Sequence, residues 1–429
     1  MIKNSAAFKK ALEIGRPPNI TKLFPNSKAL IVSGKFIDRA MIKKGNAVAL
    51  AANGRSYFII KGVLQAAQKA NAAVILEIAK SEGGTNGYCA ATFWNLARIV
   101  DSLCNQLNIT IPVAIHADHY KINGEKDIQE AKIQIPSLFD AGITSIAIDA
   151  SLLPDDKNLN ANILLSAYIP FWAGFETEVG EIKGATGLST VADSLFLSAG
   201  LNAYDIFPDW IALNNGTVHG IEESGSAGIQ IELTKKIHQA LLPYNISGAQ
   251  HGTSGNSFAS LKKIVQKTKT TKANVATAFQ MISLGLKTND AGNTILNQQG
   301  DFIKVKGRGA SEEAWKEMQK YALNHNLKAG GLKKLNLVFE NRLMSQSKRI
   351  KDRMAKGVEE FAYNLIKNIF NSENTAPLVY EKIIAADSYN AKPKAVKIED
   401  KKDWTPEKIV FKASLLKTSN DNKAGDFDD

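Results

Sequence analysis

The chain has 429 residues, enough for one domain of α/β-barrel size with additions or for two ordinary domains. Its net charge of +11 favours anionic partners, yet the lysines are scattered through helical stretches and no nucleic-acid motif occurs. Cys89 and Cys104 lack the spacing of a metal site or a disulfide framework, and no apolar run reaches membrane-spanning length. We therefore expect a cytoplasmic protein that binds neither nucleic acid nor a membrane.

A lead-in precedes the main repeat, with a helical pattern over 6–14, a turn at Pro17-Pro18 and a short apolar piece over 29–32. From residue 46, short apolar runs alternate with amphipathic stretches, as expected for strands that are each followed by a helix. The predicted strands cover 47–52, 73–79, 111–116, 145–149, 171–179, 210–214, 246–250 and 273–277.

Helical periodicity follows these runs, for example at 57–70, 127–139, 233–242 and 258–267. No Gly-x-Gly-x-x-Gly sequence occupies the first strand-to-helix turn, which disfavours a doubly wound sheet. Eight strand–helix units in series predict an α/β fold, a (β/α)8 TIM barrel with an N-terminal lead-in and a C-terminal helical extension.

The composition divides the chain into four predicted parts. Residues 1–45 are the lead-in segment and 46–300 the barrel core, with a long loop rich in Gly, Ser and Thr after the fifth strand. Residues 301–386 contain charged amphipathic helices, at 311–325 and 340–370, which we expect to pack on the barrel or on a partner subunit. Residues 387–429 are a polar charged tail, expected to be partly disordered or to lie over a neighbour.

Polar residues mark the predicted strand ends, which meet at one face of such a barrel. Four of the six histidines fall there, whereas His238 and His325 lie in helical patterns and are predicted to be at the surface. Strict alternation would point His119 away from Asp118, unless the loop begins inside the motif and turns His119 inward. The strand-end residues are Asn53, Ser81, 116–119, Asp149, Glu176, Glu178, 214–219 and His251.

Three of these histidines suggest a metal site. Three neutral imidazoles with an open fourth position are typical of catalytic zinc, and His119, His219 and His251 can supply them. A single histidine would more often be a structural side chain, so the interpretation depends on all three. Asp149 and Glu178 can serve a second cation or orient the histidines.

The stretch 251–256 follows the seventh strand and opens a helix. Its small residues let backbone N–H groups approach an anion, and the helix dipole favours negative charge. A flexible turn would have the same composition. Barrel phosphate sites are often built from the loops after the seventh and eighth strands, so we expect a phosphate here.

Taken together, these motifs resemble the class II, metal-dependent fructose-bisphosphate aldolases. The similar pieces occur in the family's order over about residues 46–280, and a serine-glycine loop like the family's follows the second strand. They are His116-Ala117-Asp118-His119, Glu176-Thr177-Glu178-Val179-Gly180, Asn215-Gly216-Thr217-Val218-His219-Gly220, His251-Gly252-Thr253-Ser254-Gly255, Asn274-Val275-Ala276-Thr277 and Ser81-Glu82-Gly83-Gly84.

The resemblance implies cleavage of a ketose bisphosphate, such as fructose 1,6-bisphosphate, into dihydroxyacetone phosphate and an aldehyde. A Zn²⁺ or other divalent ion on His119, His219 and His251 would polarise the ketone and stabilise the enediolate, and Asp118 would exchange the hydroxyl proton. A second cation is implied at Asp149 and Glu178, and the chain is expected to form a homodimer or homotetramer. The implied substrate- and phosphate-binding residues are Asn53, Ser81, Gly220, Gly252, Ser254, Asn274 and Thr277.

Two departures from the family are visible. Where the family carries a Gly-Gly-x-Glu-Asp-like run whose glutamate handles the proton on the enediolate carbon, this chain has Lys183-Gly184-Ala185-Thr186-Gly187. Glu181, on the same loop, is our hypothesis for its replacement and is counted as a catalytic candidate. At the eighth strand, Ala276 stands where the family has an aspartate.

Three functions remain open at this point. The leading hypothesis is a divergent zinc aldolase, and the missing loop carboxylate motivates a second, a non-catalytic homologue that binds metal and sugar phosphate. A metal-dependent hydrolase is the third, because three histidines and an aspartate also suit water activation. Arg349 and Arg353 are candidates for a second substrate phosphate, although a solvated helix face explains them equally well.

Overall fold

Eight parallel strands close into a barrel in which each strand pairs with the next and β8 pairs with β1. The computed structural model describes residues 6–180, 187–217, 228–254, 256–327 and 329–416. The closed barrel confirms the predicted (β/α)8 fold. The strands are β1 (Ala49–Asn53), β2 (Val74–Ala79), β3 (Val113–Lys121), β4 (Ser145–Asp149), β5 (Gly174–Val179), β6 (Trp210–Leu213), β7 (Ser247–Gln250) and β8 (Thr270–Val275).

Helices surround the barrel and cover its outer face, so that the strands are buried on both sides. Among the described residues, no helix has the length and apolar character needed to cross a membrane. The helices are α1 (Ala6–Ile14), α2 (Pro18–Leu23), α3 (Gly34–Lys44), α4 (Tyr57–Ala70), α5 (Lys80–Gly83), α6 (Leu96–Leu107), α7 (Glu125–Asp140), α8 (Asp155–Ser166), α9 (Val191–Ala203), α10 (Ile231–Ala240), α11 (Phe258–Lys267), α12 (Thr277–Leu284), α13 (Glu312–Asn324), α14 (Leu335–Met344), α15 (Lys348–Asn364), α16 (Ala376–Ala386) and α17 (Pro406–Ser414).

Two strands extend at least three residues beyond one of their predicted bounds. β3 runs five residues beyond the predicted end at 116, to Lys121, and β8 begins at Thr270 rather than at 273. In both cases the added residues include polar side chains that form hydrogen bonds or ion pairs inside the barrel. A search for apolar runs does not detect strands that contain such residues.

The predicted helix over 340–370 is wrong, since α14 ends at Met344 and α15 begins at Lys348. Gln346 lies buried in the break, where its side-chain oxygen accepts a hydrogen bond from the Ser311 backbone N–H at 2.8 Å. This bond fixes the turn between the two helices. α15 then packs closely on α4, where a Cβ added at Gly62 would lie 2.4 Å from the Ala355 carbonyl oxygen.

The predicted surface position of His238 is also wrong, because the side chain is buried on the face of α10 that covers β7. Gly248 leaves room for the ring, since a Cβ there would lie 2.2 Å from its Cε1 atom. Burial, together with Lys269, lowers the pKa of His238 to about 4, so the imidazole is neutral at pH 7. His325 is exposed and stacks on Tyr321.

Residues 387–416, the described part of the predicted tail, lie on the barrel. Lys394 is partly buried at the end where the strands begin, and its ammonium group donates hydrogen bonds to the Asp38 carboxylate at 2.6 Å, the Asp209 carbonyl at 2.9 Å and the Ser247 hydroxyl at 2.6 Å. Farther along, Trp404 packs against Phe196 of α9. The C-terminal segment therefore packs against the barrel near the starts of its strands and against α9; the four domain boundaries stay predictions.

Replacing Lys394 with methionine is expected to lower the free energy of unfolding by about 3 kcal/mol, because it leaves the buried Asp38 carboxylate without this cation. Lys397→Met is the matched control on the same segment, since Lys397 pairs with Asp205 in solvent and should contribute less than about 1 kcal/mol. Chemical denaturation of both variants measures the difference. Equal losses would show that Lys394 does not anchor the segment.

Candidate active site

A β-bulge in β3 shapes the centre of the site. Ala117 pairs with Ile146 and Tyr120 with Ile148, so that β3 carries one residue more than β4 between these pairs. His119 absorbs the extra residue with a positive φ of 40°. The bulge turns both Asp118 and His119 into the barrel, as the sequence allowed if regular alternation broke inside the motif.

His119 lies among carboxylates from the neighbouring strand ends. Its Nδ1 atom is 3.1 Å from Glu178 Oε1 on β5 and 3.3 Å from Asp149 Oδ2 on β4. The rings of His119 and His251 are 4.3 Å apart between centroids, and potential ligand atoms of Asp118, His119 and His251 all lie within 4.8 Å of one another. The structure thus brings together four of the five predicted metal ligands.

His251, which follows β7, is held by a buried carboxylate. Glu176 Oε1 lies 2.8 Å from its Nε2 atom, so Nε2 carries the proton that this hydrogen bond requires. The Nδ1 atom has no hydrogen-bond partner among the described residues and lies 3.8 Å from Glu178 Oε2. An imidazole fixed by a carboxylate on one nitrogen, with the other available, is the usual arrangement of a metal ligand.

The electrostatics of the cluster also favour a cation. Burial alone would lower the pKa of His119, but Glu178 and Asp118 outweigh it and hold the pKa well above the usual range. Burial and Asp149 raise the pKa of Glu178. A metal ion would satisfy the same negative potential that attracts a proton to His119, and the mixed nitrogen and oxygen donors fit a divalent ion such as zinc.

Asp118 faces the cluster as an ionised carboxylate. Its Oδ1 atom accepts a hydrogen bond from Asn274 Nδ2 at 3.0 Å and lies 3.5 Å from Lys272 Nζ. Burial would raise its pKa, but His119, Lys272 and His251 together hold the pKa well below the usual range. A carboxylate beside the proposed ligands, fixed by an amide, can accept a proton from a bound substrate.

Sequence reasoning missed two charged residues of this barrel interior, Lys272 and Glu77. Lys272 is fully buried, with its ammonium nitrogen 2.8 Å from Glu176 Oε2 and 3.2 Å from Glu77 Oε2. Each is a charged residue within a buried strand, and Lys272 lies on the same inward face as Asn274, two residues later. A charged residue in a predicted buried strand could therefore have indicated this interior cluster.

Lys272 is not poised for Schiff-base chemistry. Burial alone would lower its pKa, but Glu176, Glu77 and Asp118 outweigh it and raise the pKa above the usual range. Because the nitrogen lone pair must be free to attack a carbonyl, a lysine held as an ammonium ion cannot act as the nucleophile. The site therefore favours Lewis-acid over lysine-based chemistry.

His116 lies deeper in the barrel. Its Nδ1 atom hydrogen-bonds to the Ser145 hydroxyl at 2.9 Å, and its Nε2 atom is 3.5 Å from Glu176 Oε2. Burial and the nearby Lys272 lower its pKa to about 3, so the ring is neutral. These contacts agree with the sequence interpretation of His116 as an orienting or packing residue rather than a ligand.

The predicted phosphate-binding residues are contributed by neighbouring turns after β7 and β8. Gly252 has a φ of 58°, a conformation that glycine adopts without strain. The Ser254 hydroxyl oxygen lies 3.5 Å from the Ala278 backbone nitrogen in the first turn of α12, which Thr277 begins. The two turns thus meet at one edge of the barrel mouth.

Asn53 and Ser81 lie at the ends of β1 and β2. Asn53 is buried, and its side-chain oxygen has no hydrogen-bond partner among the described residues. Ser81 stands in α5, which Arg55 secures by donating from Nε to Glu82 Oε1 at 2.6 Å. Both therefore occupy the strand-end positions that the sequence predicts.

Five predicted features fall elsewhere. Glu181, His219 and Gly220 lie outside the described residues, so their roles stay predictions. Arg349 and Arg353 lie on α15 along an outer groove of about 820 Å³ shared with α4. Arg353 donates a hydrogen bond from Nε to the Gly309 carbonyl at 2.6 Å and so holds the segment before α13. This contact accounts for Arg353 without a substrate phosphate.

Comparison with known proteins places these features in a family. The family model described as fructose-bisphosphate aldolase class-II matches residues 35–330. A fructose-bisphosphate aldolase of Staphylococcus epidermidis is 31% identical over 229 residues, which cover 48% of this chain and 74% of that protein. One of Staphylococcus aureus is 29% identical over 266 residues, covering 61% of this chain and 85% of that protein.

Solved structures show the same architecture. The YdjI aldolase from Escherichia coli K12 superposes with a TM-score of 0.53 at 17% identity, covering 81% of this chain and 99% of that one. The fructose-bisphosphate aldolase from Campylobacter jejuni gives a TM-score of 0.50 at 19% identity, covering 81% and 97%. At these identities the structural similarity supports the fold alone.

Proposed function

Because this chain belongs to the class-II fructose-bisphosphate aldolase family, whose members are metal-dependent, we propose that it is a zinc-dependent lyase that cleaves or forms a ketose bisphosphate. Fructose 1,6-bisphosphate is the proposed substrate, with dihydroxyacetone phosphate and glyceraldehyde 3-phosphate as products. The observation that carries the proposal is the meeting of His119, His251 and Asp118 at the mouth of the barrel, with carboxylates around them.

In the proposed enzyme, His119, His219 and His251 would hold the zinc ion, and Asp149 and Glu178 would orient these histidines or hold a second cation. When bound, the metal acts as a Lewis acid on the ketone oxygen of the substrate. Glu176 keeps the His251 ring in the orientation that leaves Nδ1 available.

Asp118 carries out the proton transfer at the bond that breaks. Its carboxylate accepts the proton of the substrate hydroxyl, the hydroxyl oxygen becomes the aldehyde oxygen, and the electron pair of the carbon–carbon bond passes to the dihydroxyacetone-phosphate fragment. Asn274, which donates to Asp118 at 3.0 Å, keeps this carboxylate in place and would also contact the substrate hydroxyls. In the reverse direction Asp118 returns the proton.

The dihydroxyacetone-phosphate end of the substrate would lie against the turns after β7 and β8, where Gly252, Ser254 and Thr277 offer backbone N–H groups and hydroxyls. Asn53, Ser81 and Gly220 complete the proposed substrate contacts. Glu181 is the proposed group for the proton on the carbon of that fragment, and Glu181→Ala should then abolish hydrogen exchange on dihydroxyacetone phosphate. Unchanged exchange would reject that assignment.

The direct test is to incubate metal-loaded protein with a panel of ketose bisphosphates and to measure triose phosphate release with a coupled assay. Cleavage of fructose 1,6-bisphosphate that stops on chelation is the expected result. No release from any sugar of the panel would overturn the proposal.

A second candidate function, a sugar-phosphate-binding protein without turnover, is favoured by the absence of a carboxylate in Lys183-Gly184-Ala185-Thr186-Gly187. Calorimetry with fructose 1,6-bisphosphate distinguishes the two: binding without triose phosphate release supports the binding protein, and turnover excludes it.

A further inference from the structure

A charged layer crosses the barrel interior beneath the proposed metal site. It consists of Glu77 from β2, Glu176 from β5 and Lys272 from β8, and all three residues have no exposed surface. Bulky branched side chains usually fill this position in barrels of this fold. We call these three residues the charged layer.

Lys272 lies at the centre of the charged layer and faces three carboxylates. Its ammonium nitrogen is 2.8 Å from Glu176 Oε2, 3.2 Å from Glu77 Oε2 and 3.5 Å from Asp118 Oδ1. The ammonium group donates hydrogen bonds to Glu176 and Asp118, and it lies at ion-pair distance from Glu77 without a hydrogen bond to it. Two hydrogen bonds and one ion pair therefore fix its position.

Two of these contacts lead directly to the proposed reaction centre. Glu176 uses Oε2 for Lys272 and Oε1 for His251 Nε2, so one carboxylate connects the lysine to a metal ligand. Asp118 Oδ1 is shared between Lys272 and Asn274. Moving the ammonium group would therefore disturb both a ligand and the proton-transferring carboxylate.

We propose that Lys272 is a positioning residue, which holds Glu176 and Asp118 in the orientations that metal binding through His251 and proton transfer by Asp118 require. The inference rests on the proposed function for its metal site but not for the identity of the sugar.

Stability alone does not account for the charged layer. Buried ion pairs are often no more stabilising than apolar side chains of the same volume, because each charge loses its hydration. Nor does the layer offer a further metal site: Glu77, His116 and Asp118 are near enough to share a cation, but the Lys272 ammonium group already supplies positive charge to both carboxylates. The remaining role for Lys272 is to orient the carboxylates of Glu176 and Asp118.

The test compares a lysine inside the barrel with one at the end where the strands begin, as Lys272→Met and Lys394→Met, by cobalt(II) affinity and by the visible spectrum of the bound cobalt. Lys394→Met should lower the thermal unfolding midpoint and leave cobalt affinity and spectrum unchanged. Lys272→Met should weaken cobalt binding by about 10- to 100-fold and change the spectrum, as loss of a group that orients a ligand does.

Should Lys272→Met fail to fold, the double variant Glu77→Met with Lys272→Met removes opposite charges together and is expected to fold and to show the same loss. Parental cobalt affinity and spectrum in the folded variant would overturn the inference, as would equal losses in Lys272→Met and Lys394→Met. Cobalt is measured without sugar, so a protein that binds cobalt in a Lys272-dependent way but cleaves no ketose bisphosphate would refute the proposed function and the role of Asp118 in it, and would leave the positioning of the metal ligand through Glu176 standing.

Discussion

Asp118→Asn is expected to lower kcat for ketose bisphosphate cleavage by about 10²- to 10⁴-fold, the range over which a positioned acid–base group contributes. Asparagine has nearly the same size, and its side-chain oxygen can still accept the hydrogen bond from Asn274. The amide cannot take up the substrate proton, however, because an amide is far less basic than a carboxylate. The loss should therefore appear in the chemical step.

The measurement is steady-state cleavage together with cobalt affinity for the same protein. Asp140→Asn, which changes an exposed carboxylate at the end of α7, is the control and should behave like the parent. Cleavage by Asp118→Asn at more than a tenth of the parental rate would assign the proton transfer to another group.

Removing the metal is the second change with a large expected effect. Prolonged chelation should reduce cleavage by several orders of magnitude, and adding zinc or cobalt back should restore it, because the described site then has no divalent cation to polarise the ketone. Lys272 is held by three carboxylates deeper in the barrel.

His251→Ala tests the same dependence through a ligand, and it should bind cobalt far more weakly than the parent. His325→Ala is the matched control, because that exposed histidine stacks on Tyr321 at the surface. Full cleavage by chelated protein, with no metal detected by elemental analysis, would contradict the metal dependence.

The elements predicted best are those whose ends carry local signals. α4 and α11 have the predicted bounds because Ser56 and Ser257 cap their first turns through side-chain oxygens. An apolar stripe and a capping serine are both readable within a few residues of sequence. The barrel itself followed from the regular alternation of such segments.

The parts that could not be predicted depend on distant partners. The bulge at Asp118 and His119 depends on the pairing of β3 with β4, about thirty residues away in sequence. Lys272 is buried because Glu77 and Glu176 meet it across the barrel, and His238 because Gly248 leaves it space. In each case a residue with an exposed or ambiguous pattern becomes interior only once the barrel has closed.

The contact between Lys394 and Asp38 joins residues 356 positions apart in sequence. During synthesis the chain is made from its N-terminus, so α3 and all eight strands leave the ribosome before Lys394 does. Until then, Asp38 has Arg39 beside it but not the lysine that later covers it. The contacts that Lys394 makes at this end of the barrel are consequently formed last, and a nascent chain that stops short of residue 394 lacks them.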